Sequence, residues 1–424
     1  MKSSFYNIIQ KKGDVYLLYN CLYEKIMILR PELFALLEDH KNDINAIESI
    51  HPTLYSYLLE DKFIVKDNAN ESADFIQTLI ESDTIYNSFR LIINPTLDCN
   101  LRCWYCYEKH LSKSCMSVDI IKNVHSLLNN LITSQNIKYL YLSFFGGEPF
   151  MKYQSIVHPL IQYTKEECSR HDIKLSCDFT TNAVLLSPKI IDQLASENLD
   201  IKFQVPFDGN MKFHDLTKTL HNGKGTYQSI LKNIKYGLGK KMSFTIRGNY
   251  TAENIESFKE LIDEFIDFNQ TGQIQFALQK VWQEEKNQLL LDEEKKLRHY
   301  IQEKGFTQKA SYAYRNQCYA DRENCIVVNY NGDIFKCTAN DFNIENREGI
   351  LTESGHIKYN SQHNDRLKVK YELDTCLKCK ILPICIVCTQ HKLKQIKENG
   401  AFSECSQEEK DEMIRDRIHL LMED

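Results

Sequence analysis

Three cysteines stand close together in a short segment that directly follows an apolar run. They are Cys99, Cys103 and Cys106, and no fourth cysteine continues their spacing of three and then two intervening residues. Three thiolates at this spacing can hold three corners of a cubic iron–sulfur cluster, which leaves one iron open to a substrate or cofactor. A zinc site is the alternative for such a motif in isolation. Three ligands rather than four favour a centre that performs chemistry over a structural metal.

This segment resembles the radical S-adenosylmethionine (AdoMet) signature, with Tyr105 in the aromatic position before the third cysteine. The resemblance implies that the open iron binds the amino and carboxylate groups of AdoMet, whose reductive cleavage gives a 5′-deoxyadenosyl radical. A second segment, Gly146-Gly147-Glu148-Pro149, resembles the Gly-Gly-Glu-Pro segment of the same family. It implies that the exposed backbone of the two glycines and the carboxylate of Glu148 receive the AdoMet ammonium. Alone, this segment would be typical of an ordinary turn, but both motifs in this order favour the radical AdoMet family.

Composition and charge exclude several classes of protein. The chain has 424 residues with 52 basic and 58 acidic side chains, a net charge of −6. Since no block of lysine or arginine stands out, we do not expect a nucleic-acid partner. The start does not resemble a signal peptide, and no apolar run approaches membrane length, so we expect a cytoplasmic protein without a membrane partner. Fifteen cysteines in such a protein are expected to be reduced and available to metal.

Apolar runs alternate with amphipathic stretches between residue 90 and about residue 285, in a βα rhythm. The predicted strands are Phe89–Asn94, Tyr139–Phe145, Leu175–Thr180, Ile201–Phe207, Met242–Asn249 and Gln273–Gln279. Predicted helices between them include Ser187–Glu197, Thr226–Leu238 and Asn254–Phe268. Repeated βα units favour a right-handed parallel barrel or open sheet, whose chemistry gathers at the carboxyl ends of the strands. We therefore predict an α/β protein in which residues 86–300 form a partial (β/α)6 TIM-type barrel, as the family resemblance also implies.

Polar residues at the predicted strand ends add candidate AdoMet contacts. In related enzymes that modify peptides, a Thr-Asn-Gly, a Ser-x-Asp-Gly and polar residues of the fifth strand line the AdoMet ribose and carboxylate. The resemblance implies contacts from Asn182 and Arg247, while Ala183 replaces the family's glycine and Pro206 replaces its serine. Lys218 stands where an arginine is usual, which implies a contact with the AdoMet carboxylate. An Asx residue that begins a turn is the structural alternative for Asn182.

Eight further cysteines fall near the carboxyl terminus, in residues 310–424. Their paired Cys-x2-Cys spacing is, by itself, more typical of zinc. Beside the radical AdoMet motif, the pattern resembles the SPASM extension and implies two auxiliary 4Fe–4S clusters, making three 4Fe–4S clusters in all. By this resemblance, one auxiliary cluster would be held by Cys318, Cys325, Cys337 and Cys388. The other would be held by Cys376, Cys379, Cys385 and Cys405. The last gap in the run, between Cys385 and Cys388, is two residues where the family has three.

The amino-terminal segment, residues 1–85, is not required by radical AdoMet chemistry. Strands are predicted at Tyr6–Gln10, Val15–Tyr19, Lys25–Leu29 and Lys62–Lys66, and helices at Pro31–Asp39, Ile44–Ile50 and Thr53–Leu59. This order is compatible with a winged-helix-like module and resembles the domains that recognise leader peptides. Those domains add the peptide as a strand to an exposed sheet edge. A dimerisation or packing domain is the alternative.

We interpret the protein as a radical AdoMet enzyme that modifies a ribosomally synthesised peptide, forming a thioether or carbon–carbon crosslink. Its partners would be a precursor peptide and an external electron donor of flavodoxin or ferredoxin type. One alternative is the oxidation of a protein cysteine or serine to formylglycine, as in sulfatase maturases. Those enzymes have an aspartate where Thr338 follows Cys337, which weighs against this alternative. Another is a non-catalytic iron–sulfur protein that binds peptides, against which the intact three-cysteine motif argues. The sequence assigns no catalytic acid or base.

Overall fold

The computed structural model describes residues 1–134, 136–285, 287–308 and 318–423. These residues divide into two compact units. The first unit contains residues 1–85, 318–322 and 364–423, and the second contains the described parts of 86–308 together with 323–363. None of the described helices combines the length and the apolar character needed to cross a membrane.

The first unit begins with a small sheet and a group of short helices. Its elements are β1 (Lys2–Ser3), β2 (Asn7–Lys12), β3 (Val15–Asn20), β4 (Lys25–Leu29), α1 (Pro31–Asp39), α2 (Ala46–Ile50), α3 (Pro52–Glu60), β5 (Ile64–Val65) and α4 (Glu71–Thr84). Strands β2, β3 and β4 form an antiparallel sheet in that order, and β1 pairs with β5. The predicted strands and helices lie within two residues of these bounds. Helix α4 is an additional element, which the side chain of Asn70 caps.

The second unit is built on a parallel sheet with helices between its strands. Its elements are β6 (Ser88–Ile93), α5 (Val118–Ser134), β7 (Tyr139–Phe144), α6 (His158–Arg170), β8 (Lys174–Thr180), α7 (Pro188–Ser196), β9 (Asp200–Phe207), α8 (Met211–Thr217), α9 (Tyr227–Gly239), β10 (Ser243–Tyr250), α10 (Phe258–Asp263), β11 (Ile274–Lys280), α11 (Gln288–Glu303), β12 (Thr307–Gln308), β13 (Cys325–Val328), β14 (Asp333–Phe335), β15 (Gly349–Leu351) and β16 (Ile357–Tyr359). Strands β6 to β12 are parallel and adjacent in chain order, which confirms the predicted α/β fold with a partial parallel barrel. Each of the six predicted strands is present within one residue. The predicted helix Asn254–Phe268 is instead the short α10 between two 3₁₀ turns.

A row of stacked phenylalanines fixes the register of the barrel strands. Phe144, Phe179, Phe203 and Phe244 are direct partners on β7, β8, β9 and β10, and each is about 1% exposed. Their ring centroids are 5.2, 5.3 and 5.0 Å apart along the row. Such cross-strand aromatic pairs stabilise a sheet beyond the burial of their surface. A shift of any strand by one residue would remove its ring from the row.

A hairpin near the carboxyl terminus belongs to the second unit. Strands β13 and β14 form a hairpin around Asn331-Gly332, a residue pair typical of hairpin turns, and Gly332 has a φ of +83°. Strand β13 also pairs in parallel with β6 and so extends the barrel sheet. All four residues of β13 are buried, which a strand reaches only when it has neighbours on its faces and edges.

The chain ends in helices α12 (Ser361–Tyr371), α13 (Asp374–Leu377), α14 (Thr389–Asn399) and α15 (Gln407–Glu423). The amino-terminal sheet shares a hydrophobic core with this end of the chain. Tyr6, which precedes β2, and Tyr19 of β3 pack in one buried cluster with Ile384, Met413 and Ile414. The amino-terminal 85 residues are therefore not a free-standing module, because their removal would expose this core to water.

Candidate active site

A cavity of about 920 Å³, including its open mouth, lies at the carboxyl ends of strands β6 to β11. It is lined by all three motif cysteines and by every predicted AdoMet contact except Glu148. These lining residues are Cys99, Cys103, Tyr105, Cys106, Gly146, Gly147, Asn182, Lys218 and Arg247. The fold thus gathers side chains that are up to about 150 residues apart, as expected for a parallel α/β sheet.

The surroundings of the three cysteines fit an iron–sulfur cluster. The backbone N–H of Leu101 donates to Cys99 Sγ at 3.4 Å, and Asn182 Nδ2 lies 3.8 Å from the same sulfur. Burial, reinforced by the nearby Glu148, raises the pKa of Cys99 to about 12, and burial raises the pKa of Cys106 to about 11. These thiols therefore require a bound cation to lose their protons at neutral pH. N–H groups directed at sulfur are the donors that cluster thiolates use.

No group of three or more His, Cys, Asp or Glu side chains within the described ranges is arranged to hold a single metal ion. In a cubic cluster, each cysteine binds a different iron, so its sulfurs do not need to converge on one point. The motif cysteines line a common cavity without such convergence.

The two glycines that follow β7 allow the chain to pass close to the loop that precedes the cysteines. Gly146 has a φ of +99°, and a Cβ atom there would lie 2.3 Å from the carbonyl oxygen of Thr96. A Cβ atom on Gly147 would lie 2.2 Å from the carbonyl oxygen of Asp98. Both distances are far below van der Waals contact, so this turn requires glycine at both positions.

Glu148 lies behind the cavity rather than in its wall. Its side chain is fully buried, Oε1 accepts from Thr181 Oγ1 at 2.8 Å and from the N–H of Phe150 at 3.0 Å, and Oε2 accepts from the N–H of Asn182 at 2.9 Å. Burial raises the pKa of Glu148 to about 7. In this arrangement the carboxylate connects the ends of β7 and β8, and its contact with an AdoMet ammonium stays a prediction.

A buried polar network joins the cysteine loop to the ends of β9 and β10. Tyr105 donates its hydroxyl hydrogen to Asp208 Oδ1 at 2.6 Å and accepts from Asn249 Nδ2 at 2.9 Å. Lys218 forms an ion pair with Asp208 Oδ2 at 2.7 Å. Burial opposes the charge of Lys218, yet Asp208 holds its pKa well above the usual value. Asp208 thus holds both the aromatic residue of the motif and Lys218.

Arg247 and Glu108 are two ionisable residues of the cavity wall. Arg247 projects from β10, and no described residue forms a hydrogen bond or an ion pair with its guanidinium. Glu108 was not identified from the sequence, although it follows the motif directly, and burial raises its pKa to about 8. Trp282, which is 72% exposed, and Tyr107 give the mouth an aromatic character.

The two predicted sets of auxiliary cysteines differ in how their members are distributed between the two units. Cysteines 376, 379, 385 and 405 line one cavity of about 340 Å³ in the first unit. The other set is divided between the units: Cys318 and Cys388 belong to the first, and Cys325 and Cys337 to the second. A hydrogen bond from Cys318 lowers the pKa of Cys388 to about 7, so these two sulfurs are in contact. Only the first of these sets is thus gathered within one unit.

Comparisons with known proteins agree with this geometry. The radical SAM superfamily model matches residues 93–265. An uncharacterized protein of Methanocaldococcus jannaschii is 28% identical over 254 residues, covering 58% of this chain and 84% of that protein. The radical SAM cyclopropyl synthase TigE of Paramaledivibacter caminithermalis is 22% identical over 302 residues, covering 63% of this chain and 60% of TigE. Streptococcus suis SuiB bound to its precursor peptide SuiA has a similar fold, with a TM-score of 0.51 and 17% identity over 96% of this chain and 99% of SuiB.

Proposed function

Residues 93–265 form a radical SAM domain, and from this premise we propose that the protein is an enzyme that modifies a ribosomally synthesised peptide. The proposed product is a thioether or carbon–carbon crosslink. The observation that carries this proposal is the cavity in whose wall the three cysteines and the Gly146-Gly147 turn meet. When bound there, a 4Fe–4S cluster with AdoMet would supply a 5′-deoxyadenosyl radical, which removes a hydrogen atom from the substrate.

The residues of the cavity would position the cofactor and exclude water. Arg247 offers a guanidinium with no ionic partner among the described residues, which suits the AdoMet carboxylate because guanidinium and carboxylate pair in a bidentate manner. The backbone of Gly146 and Gly147 is free of side chains that would block the approach of the AdoMet amine. Asn182 lies beside Cys99, where its amide can bind both the cysteine loop and the cofactor.

Support for a peptide substrate comes from the relatives and from the shape of the mouth. TigE is named a cyclopropyl synthase of the same superfamily, and SuiB is described with a bound precursor peptide. The cavity is open, and the exposed Trp282 at its rim offers an apolar surface to a peptide side chain. Strands β2 and β4 are the edges of the amino-terminal sheet, and either edge could add a leader peptide as a further strand.

Two auxiliary 4Fe–4S clusters are part of the proposal. The four cysteines 376, 379, 385 and 405 share one cavity, which supports one of them. The set of Cys318, Cys325, Cys337 and Cys388 is proposed for the other from the family resemblance. A reaction that oxidises its substrate must pass an electron to an acceptor, and fully ligated clusters are suited to electron transfer. An external donor of flavodoxin or ferredoxin type, in a reducing cytoplasm, would supply the electron that starts the reaction.

The test begins with anaerobically reconstituted protein. It should bind about twelve iron atoms and convert AdoMet to 5′-deoxyadenosine when reduced. Replacing Cys99, Cys103 and Cys106 together by alanine should abolish that conversion and remove about four iron atoms. Cleavage of AdoMet at the wild-type rate in this variant would show that the radical is formed elsewhere.

The product distinguishes the alternatives. With a precursor peptide encoded near this gene, a crosslinked product should be two hydrogen atoms lighter and unreactive toward hydrazide reagents. A product that carries a hydrazide-reactive aldehyde would instead support the formylglycine alternative. Protein that binds its clusters and the peptide but never cleaves AdoMet would support the non-catalytic alternative.

A further inference from the structure

The buried ammonium of Lys218 contacts three neighbouring side chains inside the protein. Its side chain is 2% exposed, and its ammonium pairs with Asp208 Oδ2 at 2.7 Å. It also donates to the hydroxyl of Tyr105 and lies 3.8 Å from Cys103 Sγ. A lysine ammonium has three hydrogen-bond donors. Two of them serve the phenol and the sulfur, and the carboxylate pairs with the same ammonium as its counterion.

Hydrogen bonds also hold the backbone around Lys218. Lys218 directly follows α8. Its N–H donates to the carbonyl oxygen of His214 at 2.7 Å, and its own carbonyl accepts from Thr226 Oγ1 at 2.6 Å. In the next residues, Leu220 forms an antiparallel bridge with Leu101 of the cysteine loop. The turn after α8 thus holds the cysteine loop through a main-chain bridge and through the ammonium of Lys218.

We propose that Lys218 is a positioning residue that holds Cys103 and sets the reduction potential of the cluster at the three-cysteine motif, rather than a ligand of the AdoMet carboxylate. The inference rests on the proposed function, because it requires that a cluster bind there. An N–H group or a positive charge beside a ligating sulfur stabilises the reduced cluster, which carries one more electron. The negative charge of Asp208 opposes this stabilisation of the reduced cluster, and its ion pair with Lys218 keeps the ammonium in place. The AdoMet carboxylate is left to Arg247, which has no such partners among the described residues.

The test measures the midpoint potential of this cluster by redox titration and electron paramagnetic resonance, without AdoMet and without turnover. The signal is assigned by its absence from the variant that lacks Cys99, Cys103 and Cys106. Lys218→Met should shift the potential to a more negative value, Asp208→Asn to a more positive value, and Lys218→Arg should stay close to wild type. A general loosening of the site would move the first two variants in the same direction, so opposite shifts are specific to the charges.

Binding of AdoMet provides the matched control. Arg247→Met should shift the potential less than Lys218→Met does, because Arg247 has no hydrogen bond to a ligating sulfur in the described part of the chain, and should weaken AdoMet binding by at least about tenfold, as expected for the loss of a charge-assisted hydrogen bond. Lys218→Met should retain AdoMet affinity close to wild type. An unchanged potential in Lys218→Met, at wild-type iron content, would overturn the proposal. If Lys218→Met does not retain iron, a potential in Asp208→Asn at or below the wild-type value would overturn it as well. Wild-type protein that assembles no cluster would contradict the proposed function itself.

Discussion

The backbone N–H of Asn182 donates a hydrogen bond of 2.9 Å to the buried carboxylate of Glu148. This contact connects the residue after β8 with the residue that closes the glycine turn after β7. The side chain of Asn182 is then placed 2.8 Å from Asn100 Oδ1 and next to Cys99. A carboxylate outside the cavity therefore determines the position of an amide inside it.

The burial of Glu148 predicts a pH-dependent stability. Its pKa rises from 4.5 to about 7 in the folded protein, so between these values only the unfolded chain releases the proton. The stability of the fold should therefore fall by about 2 kcal/mol between pH 5 and pH 7 because of this one group, and change little above pH 7. Urea unfolding of the wild type and of Glu148→Gln at both pH values measures the difference. Parallel changes in the two proteins would refute the assignment.

Alanine at Gly147 should disrupt the turn beneath the cavity. The new Cβ atom would lie 2.2 Å from a backbone carbonyl oxygen that cannot move without the cysteine loop. We expect a loss of about 1–3 kcal/mol in the free energy of unfolding, and weaker AdoMet binding. Gly239→Ala is the matched control, because nothing lies within 4 Å of a Cβ atom there. Equal stability of the two variants would show that the turn adapts.

The cavity lined by cysteines 376, 379, 385 and 405 predicts a separable cluster. Replacing Cys379 and Cys405 together by alanine should remove about four iron atoms while reductive AdoMet cleavage continues. Product formation with the peptide should fall more than cleavage does, because this cluster is proposed to accept an electron from the substrate. Iron analysis and the ratio of 5′-deoxyadenosine to product measure both effects. Full iron content in the variant would argue against a cluster at this place.

The proposed leader site can be tested by a surface substitution that does not disturb the shared core. Ile28 lies on the edge strand β4 and is 59% exposed, so Ile28→Asp should fold and should interfere with a peptide added beside that strand. Leu289→Asp is the control, since Leu289 is 74% exposed in the second unit. Fluorescence anisotropy with a labelled precursor peptide should show weaker binding only for the first variant. Equal affinity of both variants would exclude β4 as the leader site.

Local pattern was enough to predict most of the fold. The six barrel strands follow from alternating apolar and amphipathic runs, and the hairpin follows from Asn331-Gly332, because these signals depend on neighbouring residues alone. The same signals did not reveal that β13 pairs with β6 and joins the barrel sheet. Strand partners far apart in sequence are chosen by which edges remain unpaired, and no local pattern records that choice.

The sequence by itself determined which reactive groups this protein offers: three cysteines at cluster spacing, the glycine turn and the repeated βα units that place both at strand ends. Only the tertiary structure decided how the charged groups are used. Lys218 and Arg247 are both basic residues in the sequence, but Asp208 holds the first inside the wall while no described residue pairs with the second. The physical reason is that a charge acts through its nearest partners, and these lie in segments that follow different strands and meet only when the barrel is formed.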